Sequence, residues 1–422
     1  MSRSFLADYN LLAVSALNKE TALNTEQTLD TSMLVSKSDI ISLEPRRESN
    51  AGELTGMEEA DSIYDLGALA SLNMNFEKAQ AQHFGFGYAF ALGTRSAAAW
   101  GAGYKHTITP TSDMSNPSFT AAQRLGNTVL KRRVASMHVD QLTATFARDA
   151  WAKLALSCKG TGKYTDNIAR ETVSAAYNAT SLTLAANAVQ GATAQARLDS
   201  IHQVRVLVPT TGEWAEATVT AVSAATPAVL TITAVGGVAT STTYEILYIP
   251  TEPAWCTFPA RVTEPPLRIS NLVVKVGGLW SGSAFLGGKS LSAEIESIEH
   301  VVNNNTAIEF RPGGTNTYAS YAMRKGRTQA LKLNRQMRDF MLQRRMLANE
   351  TFGVQLTATG DEWASGYNYY VDLVFPKCAV LQAPISVNDK VLAEAGDITV
   401  LQDATYGSCI ATVGNKVATY AA

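Results

Sequence analysis

Cysteine and histidine are both scarce and scattered in this chain. The four cysteines are Cys158, Cys256, Cys378 and Cys409. None stands near another, so there is no CxxC motif to hold a metal or cycle between thiol and disulfide. The five histidines, His83, His106, His138, His202 and His300, lack the HxH or HxxxH spacing that would put two imidazoles on one metal. Each is expected at the surface or partly buried. Charged residues make up only 17%, the net charge is -2 and the pI about 6.3, which is not the basic stripe of a tight nucleic-acid binder. The longest basic run, Lys131-Arg132-Arg133, reads as a solvated loop. No apolar run approaches the roughly 18 residues of a membrane helix, so no membrane partner is expected. The start, "MSRSFLADYN", has no signal-peptide pattern, and the thiols are therefore expected to be reduced, in a cytoplasmic product.

Catalytic motifs also fail on inspection. "SCKGTGKY" has Ser157 where a phosphate loop needs its first glycine, and Tyr164 where it needs Ser or Thr. A hairpin turn accounts for those glycines better. "GSAFLGG" lacks the central serine of a nucleophile elbow. The carboxylate pairs Glu58-Glu59 and Glu294/Glu296 read as solvated surface. The expectation is a non-enzymatic protein with no cofactor and no metal.

What the chain does have is apolar residues, 46% of 422, enough for roughly two to three domains. Residues 1–42 are polar and mixed, with weak helical spacing at Leu11, Leu12, Val14 and Leu17; a short helix or an ordered arm is expected. "LEPRRESNAGELTG" (43–56) fits neither the strand nor the helix period and concentrates charge in what looks like an exposed segment. "ASLNMNF" alternates Leu72, Met74 and Phe76 with Asn73 and Asn75, a half-buried strand. "EKAQAQHFGFGYAFALG", Glu77 to Gly93, opens acidic and closes on glycine, as a helix does, although Gly85 and Gly87 each cost about 1 kcal/mol against alanine. "HVDQLTATFA" and "AKLALSCKG" read as further strands.

Residues 171–255 change character, with much Ala, Thr and Val and little charge. Five short strands at about ten-residue spacing, "SLTLAANAV", "HQVRVLVP", "WAEATVTAVS", "AVLTITAVG" and "TYEILYIP", suggest a small all-β domain inserted in a larger fold. The first style then returns. "SLSAEIES" alternates Leu291, Ala293 and Ile295 with Ser292, Glu294 and Glu296, and "QALKLNR" alternates Leu331 and Leu333 with Lys332 and Asn334. "QMRDFMLQRRMLANE" puts Met337, Phe340, Met341 and Leu347 on one helical face. Strands "FGVQLTATG", "YYVDLVFP", "DITVLQDATYG" and "SCIATVG" complete a β-rich end. Two segments, "ASLNMNFEKAQAQHFGFGYAFALG" and "ALKLNRQMRDFMLQRRMLANETFG", share the pattern of strand, amphipathic helix, glycine. That suggests a duplication with the small domain between the copies.

"RRESNAGELTGMEEADSIYDLGALASLNMNFEKAQAQHFGFGYAFALGT" resembles the start of the tail tube proteins of long-tailed, non-contractile bacteriophages, in which an "RESxxG"-like stretch precedes a strand, a helix and an "LG" turn. "NYYVDLVFPKCAVLQAPISVNDKVLAEAGDITVLQDATYGSC" is similar to that family's closing strands. The resemblance spans roughly residues 40–165 and 265–415 and leaves out 171–255. It implies a mainly β fold with flanking α-helices: a duplicated tail-tube β-sandwich carrying an inserted small all-β domain. The parts would be an N-terminal arm (1–42), a first half or copy (43–170), the insert (171–255) and a second half or copy (256–422).

The resemblance further implies a virion protein, made in the host cytoplasm, whose principal partner is itself. Stacked rings would enclose a channel for DNA ejection. The rings would be homo-hexamers, or trimeric pseudo-hexamers if each chain carries two tube domains. Other tail proteins would meet the tube ends, and the tape measure protein and DNA would occupy the lumen transiently. On this reading Arg46, Arg47 and Glu48 form a subunit interface, where charges set register more than affinity. Ser292, Glu294 and Glu296, on the polar face of a strand spanning Ser290–Ser297, line the lumen. Alternatives from the residues are another virion component, such as a tail terminator or capsid decoration protein, or a carbohydrate-binding or hydrolytic β-protein. The six dispersed tryptophans do not resemble a binding cleft.

Overall fold

Alternating apolar residues drive most of this chain into strands. The computed structural model describes residues 6–53, 56–126, 130–315, 317–388 and 390–421. Strands take 53% of the chain and helices 8%, so the fold is mainly β. It divides into two compact units. One comprises the described residues of 1–12, 122–133 and 164–258, and the other those of 13–121, 134–163 and 259–422.

The larger unit is built on a run of eight antiparallel strands. Their order across the sheet is Ser42–Ser49, Ile63–Phe76, Lys153–Gly160, Leu130–Ala147, Ile295–Asn303, Thr328–Gln336, Val391–Val400 and Ile385–Asn388. A second sheet runs Gly93–Trp100, Gly103–Pro110, Ile410–Asn415, Tyr367–Gln382, Thr351–Ala364 and Leu272–Trp280. The two join where Cys378–Gln382 pairs with Asp397–Val400. The halves on either side of residues 171–255 therefore interleave: the Leu130–Ala147 strand pairs with Ile295–Asn303, and Gly103–Pro110 with Ile410–Asn415.

Between the sheets lies the helix Ala81–Leu92, all twelve residues of which are buried. It carries Phe84, Phe86, Tyr88, Phe90 and Leu92 around its whole circumference, as a helix with no solvent face must. It touches Gly103–Pro110, Ile410–Asn415 and Tyr367–Gln382 on one side and Lys153–Gly160 on the other. Gly85 is needed for this fit, because a Cβ there would lie 2.5 Å from the Tyr420 ring. Close packing thus offsets the loss of helix propensity. The Gln80 amide donates to His83 Nδ1 at the N-terminus. At the C-terminus Arg327 donates to the carbonyls of Ala91 (3.2 Å) and Leu92 (3.1 Å), satisfying groups that a buried helix end leaves without partners.

The smaller unit packs a four-stranded sheet (Ala169–Ala176, Ser241–Tyr248, Ile201–Leu207, Trp214–Glu216) against a three-stranded one (Ser181–Thr183, Val229–Ile232, Val219–Val222). Its core is made by Val204, Val206, Tyr244, Ile246, Leu230 and Ile232 among others. The Lys131-Arg132-Arg133 run is not a solvated loop. It opens the strand Leu130–Ala147; Lys131 pairs with Glu252, Arg132 with Asp166, and Arg133 stacks over Trp255. Partners distant in sequence decided this.

Three further expectations need correction. Leu11–Val14 is a strand, not a helix; a short apolar run cannot be assigned by period alone. The second predicted helix is only Met341–Leu347, and Leu342 is its one buried residue, while Phe340 and Leu347 stand 71% and 81% exposed. The Met337/Phe340/Met341/Leu347 face therefore does not enter the core. Four of the five histidines, His83, His106, His138 and His300, are buried.

Candidate functional site

The segment around Arg46 is a strand after all. Ser42–Ser49 forms a hairpin with Ile63–Ser71. Only from Ala70 onward does the second strand gain Lys153–Gly160 as its other neighbour. The outer part is therefore a two-stranded arm with nearly every residue of Ser42–Ser49 exposed. Alternation marks a strand with one buried face; with both faces in water the sequence had no reason to alternate. Arg46 lies over the Phe310 ring at 5.3 Å. Arg47 faces Asp65 at 4.0 Å, both side chains more than 60% exposed, a pairing worth little on its own. Glu48 sits opposite Tyr64. At the root of the arm the chain passes so near Gly162 (φ +88°) that a Cβ there would meet the Ala68 carbonyl at 2.0 Å.

The assignment of Ser292, Glu294 and Glu296 to one open strand face is overturned. The strand begins at Ile295, and 292–294 form a turn. Ser292 Oγ accepts from the Val274 amide at 3.2 Å. Glu294 is 8% exposed, and its carboxylate receives Arg335 at 2.8 Å and Lys289 at 3.1 Å. Glu296 lines a cavity of about 620 Å³ with Phe146, Trp151, Arg268 and Leu272. A turn, stabilised by a buried cation, broke the expected period.

That cation, Arg335, was missed. Its side chain is wholly buried and also meets Glu394 at 2.6 Å and Asp339 at 2.9 Å. Burial works to raise the Asp339 pKa, but hydrogen bonds from Lys289, the Met341 amide and Arg335 hold it near 2. The signal was present: Arg335 continues the Leu331, Leu333 alternation, which points it inward. The cluster fixes the turn that leads into Met341–Leu347.

Burial dominates the titratable side chains. Among the described residues no group of three His, Cys, Asp or Glu could hold a metal. Burial lowers His83 to about 3 and His138 and His300 to about 4, so none is poised for proton transfer near neutrality. Burial raises all four thiols, away from the thiolate a nucleophile needs. Glu264, buried and accepting from the Gln82 amide at 2.9 Å, is raised to about 7 by desolvation; no nucleophile accompanies it among its hydrogen-bond partners. What stands out is the pair of open edges that bound the eight-strand sheet. Among the described residues Ser42–Ser49 and Ile385–Asn388 each pair on one side only. Beside them Ile63, Tyr64, Leu66, Ile385, Val387, Val391 and Leu392 are exposed. No protein-family model matches the chain, and no curated protein matches it either.

Proposed function

We propose that this chain is a structural subunit of the tail tube of a long-tailed, non-contractile bacteriophage. It would polymerise into stacked rings around a channel for DNA. The observation that carries the reading is the eight-strand sheet and its internal repeat. In the first half two strands (Ser42–Ser49, Ile63–Phe76) precede a helix, a hairpin (Gly93–Trp100, Gly103–Pro110) and three more strands (Phe119–Leu125, Leu130–Ala147, Lys153–Gly160), of which the last pairs with the second. In the second half Ile295–Asn303 and Thr328–Gln336, with the short hairpin Thr306–Glu309/Tyr321–Arg324 between them, precede a helix, the hairpin Thr351–Ala364/Tyr367–Gln382, and Ile385–Asn388 and Val391–Val400, with Ile410–Asn415 following; here Val391–Val400 pairs with Thr328–Gln336 as Lys153–Gly160 does with Ile63–Phe76. This common order supports a duplicated tube domain, and hence three chains per ring.

Open edges are hazards that natural proteins blunt or use. Ring closure uses both: Ser42–Ser49 of one copy pairs with Ile385–Asn388 of the next, and the exposed apolar residues beside them become buried. The lumen is lined by the open face of the eight-strand sheet, where Asn73, Ser157, Thr145, Glu299, Lys332 and Asp397 share rows. That face is polar and of mixed sign, so it offers DNA no basic track to grip. Tail proteins at the tube ends, and the tape measure protein and DNA in the lumen, are the further partners of this reading. Electron cryomicroscopy of the purified protein tests it. Rings or tubes with three chains per layer are expected; six chains per layer would replace the trimer by a hexamer. A protein that stays monomeric at every concentration would sink the assembly reading.

A further inference from the structure

A pocket of about 440 Å³ opens at the end of the larger unit's sandwich where the Thr328–Gln336 strand starts and Val391–Val400 ends. Arg324, Arg327, Thr111, Thr328, Thr399 and Ser408 are in its lining, and among the described residues no carboxylate is. The hydrogen-bond partners of both guanidinium groups are neutral oxygens. Arg327 donates to the carbonyls of Ala91 and Leu92, to Asn304 Oδ1 at 3.0 Å and to Asn116 Oδ1 at 3.2 Å. Arg324 donates to the carbonyls of Asp113 (2.6 Å) and Thr111 (3.3 Å), and its Nε finds no acceptor. Carbonyls satisfy N–H groups without cancelling charge. Burial, and then the charge of Arg324 beside it, lowers Arg327 to about 10. The Asp113 carboxylate acts on Arg324, which still leaves one positive charge in excess.

A buried chain aims a further donor at the same place. His300 is neutral at ordinary pH, and its ring bridges Tyr88 Oη (2.7 Å) and Gln329 Oε1 (3.2 Å). Only an acceptor can receive Nε2–H, so Nε2 donates to Gln329 and Nδ1 accepts from Tyr88. Gln329 Nε2 then donates to Ser408 Oγ at 2.8 Å. Ser408 has one acceptor site filled from the protein side, and its O–H proton is left to donate into the pocket it lines.

We propose that this pocket binds an oxyanion. Two guanidinium groups with one positive charge in excess between them, the Ser408 hydroxyl and the threonine hydroxyls match the geometry and charge of a phosphate or carboxylate. The inference does not rest on ring assembly. Two sources share the chemistry: free inorganic phosphate, or a carboxylate of a second copy, such as the exposed Glu58 and Glu59 between the strands of the arm. Thermal unfolding and calorimetric titration of the full chain with sodium phosphate, against sodium chloride of equal ionic strength, test it. Saturable binding and stabilisation are expected, weakened at least tenfold in Arg324→Gln and less in Ser408→Ala. Arg324 is the residue to replace, since Arg327 also caps a helix. If phosphate binds and self-association measured by sedimentation falls in step, the natural ligand is a second copy's carboxylate. If phosphate binds and self-association is unchanged, it is a small anion. Equal effects of phosphate and chloride, or unchanged affinity in Arg324→Gln, overturn the site.

Discussion

Two segments of the larger unit share the pattern of strand then helix, and the tertiary structure treats them in opposite ways. After Ile63–Phe76 comes Ala81–Leu92, buried on every side between two sheets. After Thr328–Gln336 comes Met341–Leu347, which buries only Leu342 and packs on the Tyr367–Gln382 strand. The first carries no charged residue, whereas the second carries Arg344 and Arg345. The first is held by packing. The second is held at its entry by Arg335, Asp339, Glu294 and Glu394. A repeated order of elements need not repeat the source of stability.

The comparison breaks most visibly at an aromatic of the inner helix. Phe90→Ala empties a fully buried site between Phe86 and Phe119 and should cost about 3–5 kcal/mol in denaturant unfolding. Phe340→Ala, at the exposed entry of the second helix, should stay within about 0.5 kcal/mol; equal losses would mean that both helices are core elements. Next comes the ion cluster. Arg335→Met leaves Glu394 buried without its cation and Glu294 with Lys289 alone, and a loss of about 3 kcal/mol is expected. Urea unfolding would reveal it, and a neutral outcome would show that packing alone fixes the second helix.

A further test is the dependence on pH. The folded pKa values of His83, His138 and His300 lie near 3 to 4, below the unfolded value of about 6.5. Between those limits the unfolded chain binds more protons, so stability rises with pH there and is lost as pH falls below about 6.5. Glu264, raised to about 7, opposes this: above its unfolded pKa of about 4.3 the unfolded chain ionises first. Three groups outweigh one, and thermal midpoints measured from pH 8 down to 4 should fall. His138→Gln should flatten the slope, and an unchanged slope would remove that imidazole from the account.

The half-buried strands were the most legible part of the sequence. Leu72, Met74 and Phe76, then Leu154, Leu156 and Cys158, and later Leu331 and Leu333 all alternate in sequence and are buried as that alternation requires. The inner helix was legible from its terminal glycine, while the acidic start read at Glu77 lies before the helix Ala81–Leu92. Elements without a one-sided environment were not. The Ser42–Ser49 arm has two wet faces, and the pattern around Met341–Leu347 reads as a helix but with too great a length and the wrong buried face. The sites fared worse. The arm charges Arg46, Arg47 and Glu48 were singled out but their strand was not, and Glu294 was given to an open, lumen-lining strand face.

The sequence by itself determined which residues turn inward on each regular strand, because the hydrophobic effect acts on every apolar side chain and the pleat repeats every two residues. It also determined that residues 171–255 form β-structure of a different composition from their flanks. The tertiary structure alone decided which strands became neighbours. It put Ile295–Asn303 beside Leu130–Ala147, left Ser42–Ser49 and Ile385–Asn388 as open edges, and drew Glu294 inward to Arg335. Pairing and ion contacts between residues far apart in the chain depend on how loops close in space. No local period records that.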